Sequence, residues 1–154
     1  MPTHDPQSLL ATQLSQLEIT LQEATAIDAK TLAIVATDIT LLIFMAQTQL
    51  HVGIWWLTFL MYLMFFVALV FAAIAVWPLN YKYVAPGINS QQLPSYLQMS
   101  EPARTIQLIS TATYGTETNL ALNAKRWRLC RLSIVFTVLG LLGLLLYYVR
   151  GILT

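Results

Sequence analysis

The chain has 154 residues, 57% of them hydrophobic and only 10% charged, with a mean hydropathy of +0.65. A water-soluble domain carries roughly 25% charged residues, so this composition excludes an ordinary soluble globule and points to lipid. A net charge of +1 gives no electrostatic case for a nucleic-acid polymer as partner, and the lone Cys130 excludes an intrachain disulfide framework and a multi-cysteine metal site.

The first thirty residues carry Glu18, Glu23 and Asp28 and no long apolar run, so they do not read as a cleavable signal peptide. From Gln7 to Lys30 there is no glycine or proline, and Leu10, Leu14, Leu17, Leu21 and Ala24 recur in steps of four and three. That spacing is a short heptad seam and predicts an amphipathic helix over residues 1–30, lying on the membrane or on its own subunit, or joining copies of the chain.

Residues 31–77 are expected to form a membrane hairpin. Its first span, about 31–54, is apolar through Leu41–Phe44 but is interrupted by Asp38, and Gln47, Gln49 and His51 mark an aqueous turn. Its second span, Trp55–Trp77, carries no charge, has tryptophan at both ends and stops at Pro78. Twenty-odd helical residues rise far enough to cross a hydrocarbon core of about 30 Å, and indoles favour its boundary.

Residues 78–128 read as a loop followed by a helix. Pro86–Gly87, Asn89–Ser90 and Pro94 are turn signals, and Ser100–Glu101–Pro102 is a helix start, with a break expected near Gly115. The last segment, 129–154, holds a third span over Leu132–Val149. Arg131 precedes that span, and Tyr147, Tyr148 and Arg150 mark its other end. The fold class is therefore all-α: an integral membrane protein with about three transmembrane helices, an N-terminal amphipathic helix and a cytoplasmic helical segment. Lys82, Arg104, Lys125, Arg126, Arg128 and Arg131 lie on one side of the spans. By the positive-inside rule the N-terminus and that side face the cytoplasm.

Asp38 is the leading candidate for function, because an isolated charge at mid-bilayer costs at least about 2.5–3.5 kcal/mol unless it meets protein or water. Extending the leucine seam by the same steps gives Asp28, Thr31, Val35, Asp38, Leu42 and Met45, so one stripe holds two acids and a hydroxyl. In a homo-oligomer Asp28, Thr31 and Asp38 would line a pore or polar cavity; otherwise they are structural. The basic group Lys125, Arg126, Arg128 and Arg131, with Arg104, reads as headgroup anchors or as an anion site. Ala68 with Ala72, and Ser133 with Thr137 and Gly140, offer small-residue packing faces. Neither a Walker loop nor an HExxH, GxSxG or haem-attachment motif occurs, so neither a cofactor nor a familiar enzyme activity is expected.

The segment Asp28-Ala29-Lys30-Thr31 leads straight into a membrane hairpin, and the basic Lys125-Arg126-Trp127-Arg128 leads into the final span. In these parts and their order the chain resembles the membrane effectors of Pycsar anti-phage systems. The resemblance implies a multi-pass protein of the bacterial inner membrane that responds to a cyclic nucleotide and impairs membrane integrity. Asp38 within the span, and the lack of a recognisable nucleotide-sensing domain, depart from that pattern. The alternative is a non-catalytic accessory subunit of a larger membrane protein complex, its spans packed on partner helices and membrane lipids.

Overall fold

A computed structural model describes residues 6–47, 55–77 and 98–153. The expected turn at Gln49 and His51, and the loop signals at Pro86–Gly87, Asn89–Ser90 and Pro94, lie outside them. The described chain is all-helical: α1 is Pro6–Gln47, α2 is Trp55–Val76 and α3 is Glu101–Leu153. All three are long and apolar enough to cross a membrane; α2, with 22 residues, rises about 33 Å.

Local chemistry explains the helix limits. The one proline of α1 is its first residue, where the missing N–H costs nothing. At α3, Ser100 precedes the helix and its carbonyl accepts the first helical bond, 3.0 Å from the Arg104 amide, with Glu101 in the first turn. Threonine is a mediocre helix former, yet Thr12, Thr25, Thr31, Thr37 and Thr40 each donate the hydroxyl to the carbonyl four residues back. Internal satisfaction of this kind lets a hydroxyl sit in an apolar setting.

α1 runs without interruption through 30/31, and α3 runs through 128/129 and also through Gly115, where a break was expected. Gly115 is buried within the continuous helix.

The chain divides into two compact units. In the first, α1 up to Thr25 and α3 up to Ala124, the buried side chains are Leu17, Thr20 and Ala24 with Ala112, Thr116, Asn119 and Asn123. The Asn123 amide donates to the Thr20 carbonyl at 2.8 Å, joining the two helices. The second unit holds the rest of α1 from Ala26, all of α2, and α3 from Lys125. Its interior is Ile27, Thr31, Asp38 and Met45 from α1, the row Met61, Phe65, Ala68, Ala72 and Ala75 from α2, and Arg126, Cys130, Ser133 and Thr137 from α3. Contacts pair Asp28 with Arg126 and Asp38 with Thr137, so α1 and α3 run parallel. Arg126 meets Ala75 and Ser133 meets Ala68, so α2 runs antiparallel to α3.

The buried positions follow steps of three and four, as predicted, but the α1 seam is corrected in phase. Leu17, Ala24, Thr31, Asp38 and Met45 are buried as expected, whereas the intervening positions are Thr20 and Ile27, not Leu21 and Asp28. Leu14 is exposed, and Leu21 and Asp28 are only half-buried. The cause is chemical: Thr20 donates its hydroxyl to the Leu17 carbonyl and receives Asn123 on its own carbonyl, so a polar residue takes the place that hydrophobicity alone assigns to leucine.

The small residues expected to pack do so within this chain. A Cβ added to Gly140 would lie 2.7 Å from Phe65 Cζ, so that ring rests directly on the glycine backbone. Ser133 donates to the Ala68 carbonyl at 2.9 Å. At the far end Met45, Met61 and Phe65 form an apolar cluster with Leu41, Leu57, Leu144 and Tyr147 around it.

Candidate functional site: a polar seam among apolar helices

The interior of the second unit is polar at two levels. At the level where α2 ends, the Arg126 side chain is buried and binds two helices at once. Its Nε donates to the Ala75 carbonyl at 2.7 Å, and its Nη2 pairs with Asp28. Ala75 lies in the last turn of α2, where carbonyls have no partner in their own helix. A cation there also complements the helix dipole. Arg126 thus caps α2 while joining α1 to α3. By sequence alone Arg126 is offered to headgroups or an anion; in this structure its guanidinium is buried and engaged with Asp28 and Ala75.

Deeper along the same helices lies Asp38, fully buried. The Thr137 hydroxyl is 2.9 Å from Asp38 Oδ1 and 3.0 Å from the Ser133 carbonyl, so one proton serves two acceptors. Asp38 Oδ2 is buried without a hydrogen-bond partner. A buried carboxyl with an unsatisfied oxygen carries a desolvation cost that packing must offset. Thr31, one seam step away, is also fully buried but is satisfied by the Ile27 carbonyl at 2.7 Å. Within a single chain, then, Thr31 and Asp38 face the interior of the second unit, and Asp28 stands at its edge in an ion pair.

The other basic candidates are separate in character. Lys125, Arg128 and Arg131 are exposed, and Arg104 is half-buried with its Nε unpartnered in the first unit. Sequence reasoning missed Lys30, whose Nζ lies 4.7 Å from the centre of the Trp127 ring. Arg131 approaches the same indole, at 6.0 Å. Two cations on one ring are within cation–π range. The signal in the sequence was the acid-x-Lys pattern at Asp28–Lys30, which does not reveal that Trp127 is its neighbour. Trp77, near the same level, is exposed, as are Trp55 and Trp56 at the other end of α2. The Cys130 thiol is buried, and no group of three or more metal-ligating side chains occurs among the described residues.

The fold and site define a class: an all-helical protein whose three helices can cross a membrane, with a partly charged interior. No protein-family model, curated protein or solved structure matches the chain.

Proposed function

We propose that the chain is a membrane effector of the inner membrane that oligomerises, is regulated from its first unit on the cytoplasmic side, and opens a polar path past Asp38 that impairs membrane integrity. The observation that carries this reading is the fully buried Asp38, held on one oxygen by Thr137 and unpartnered on the other. Carboxyls in such surroundings serve ion or proton pathways more readily than packing, because packing alone would favour an apolar side chain. A second support is the meeting of the two segments that carry the resemblance to Pycsar effectors. Asp28 pairs with Arg126, and Lys30 stacks on Trp127. A cyclic nucleotide as trigger follows from that resemblance and belongs to the proposal. The accessory-subunit reading draws on exposed apolar side chains of the first unit, Ile106, Tyr114 and Leu120, which a partner would cover.

The test is dye or ion efflux from vesicles holding the full chain, compared for wild type, Asp38→Asn and Asp38→Leu with and without cyclic nucleotides. Asp38→Asn keeps the shape and the Thr137 contact but removes the charge, so assembly is expected to survive while efflux changes. Equal efflux from all three would leave a channel but remove Asp38 from it. No efflux from wild type under any nucleotide would favour the accessory subunit.

A further inference from the structure

We infer that the groove between α1 and α3 binds one anionic phospholipid, its phosphate between Lys30 and Arg131 on Trp127 and an acyl chain running along the helices below. Three observations converge on this groove.

The first is charge. Lys30 and Arg131 come from different helices yet gather on one half-buried indole, and neither has an acidic partner among the described residues. The nearby carboxylate, Asp28, is taken by Arg126. Two cations beside one indole, neither in an ion pair among the described residues, favour an anion there, and a phosphodiester satisfies both ammonium and guanidinium.

The second is shape. A groove of about 190 Å³ is lined by Ala33, Ile34 and Thr37 of α1 and by Ile134, Thr137 and Val138 of α3. Ala33, Ile34 and Thr37 follow Lys30 at three, four and seven residues, and Ile134 and Val138 follow Arg131 at three and seven. Such spacings lie on one helix face, so cations and groove share a face on both helices, with the apolar part further along each helix.

The third is depth. Arg131 lies between the levels of Ala75 and Ala68, inward of the end of α2, and its guanidinium reaches back to the Trp127 indole, toward the side where basic side chains meet headgroups. The groove lies inward of them, where only hydrocarbon is at hand. Thr37 turns its hydroxyl back to the Ala33 carbonyl, which keeps the wall effectively apolar. A free phosphate would use the cations and ignore the groove; a phospholipid uses both, and that favours the lipid. The wall also includes Thr137, the partner of Asp38, so a bound chain would abut that pair. The inference rests on the membrane reading of the helices and not on an ion path past Asp38.

Native mass spectrometry of the full chain, released from mild detergent after exposure to dioleoyl phosphatidylglycerol or dioleoyl phosphatidylcholine, tests it. The glycerol lipid is expected to be retained at least about tenfold better than the choline lipid, a difference worth about 1.4 kcal/mol. Lys30→Gln with Arg131→Gln should abolish that preference, and Lys30→Arg with Arg131→Lys should keep it. Arg150→Gln, which removes one cation from the far end of α3, should leave retention unchanged. Ala33→Leu should lower retention of the glycerol lipid although every cation remains. Melting temperatures of the variants confirm that each is folded. Undiminished preference in the Lys30→Gln/Arg131→Gln protein, or equal loss with Arg150→Gln, would overturn the site. Displacement of the lipid by glycerophosphoglycerol, which lacks chains, would also overturn it in favour of a free-phosphate site.

Discussion

The Asp28–Arg126 pair makes an asymmetric prediction. The Arg126 side chain is only 4% exposed, whereas that of Asp28 is 42% exposed. Deleting Asp28 therefore strands a buried cation that water cannot reach. Deleting Arg126 leaves a carboxylate that water can solvate. Breaking a buried pair from the side that strands a charge costs about 3–5 kcal/mol. Partial exposure of Asp28 screens the pair, so Asp28→Ala is placed at the low end, about 3 kcal/mol. Arg126→Met retains much of the buried volume and loses chiefly the bond to the Ala75 carbonyl, about 1–2 kcal/mol. Once Arg126 is methionine, Asp28→Ala should add less than about 0.5 kcal/mol, because the two side chains no longer interact. The assay is reversible unfolding in mixed micelles of rising dodecyl sulfate content, followed by helical circular dichroism. If Arg126→Met proves costlier than Asp28→Ala, or if the two effects simply add, the buried-charge argument fails.

Two further outcomes follow from packing and register. Gly140→Ala should cost about 1–3 kcal/mol, since its Cβ would meet the buried Phe65 ring; Gly143→Ala should cost less, because the nearest atoms belong to flexible Met61. The same unfolding assay ranks them, and the reverse order would contradict the packing. Leu17→Lys should destabilise the chain by about 3 kcal/mol or more, while Leu14→Lys, on an exposed position, should stay within about 0.5 kcal/mol. Crosslinking in detergent then asks whether Leu14→Lys weakens self-association, as a seam between copies requires; unchanged crosslinking would remove that seam.

Much of the architecture was legible because it depends on local chemistry. The charge-free run from Trp55 to Trp77 announced a helix long and apolar enough to cross a membrane, and Ser100–Glu101–Pro102 marked the start of α3 correctly. What was not legible depends on pairings across the chain. Asp38 and Thr137 are 99 residues apart, and nothing near either one announces the other. Arg126 sits among Lys125, Arg128 and Arg131, and composition gives no reason for it alone to turn inward. The phase of the α1 seam was misjudged for a related reason. Periodicity counts leucines, but an interior that buries Thr20, Asn123 and Arg126 hides its own period from such a count. Gly115 was read as a break by the rules for isolated helices, whereas α3 continues through it with the glycine buried.

The parallel pairing of α1 with α3 also works as a vernier. Arg126 meets Asp28 and Thr137 meets Asp38 at almost the same offset along the two helices. A slide of one heptad would keep apolar seams in contact and cost little if the interior were all leucine. Here it would bring Arg126 opposite Leu21 or Val35, and Thr137 opposite Thr31 or Met45, so both matches would be lost together. Polar residues at seam positions commonly fix register at some expense of stability. For these stretches of α1 and α3 the consequence is a restriction on movement: a piston-like slide of one heptad would break both pairs at once.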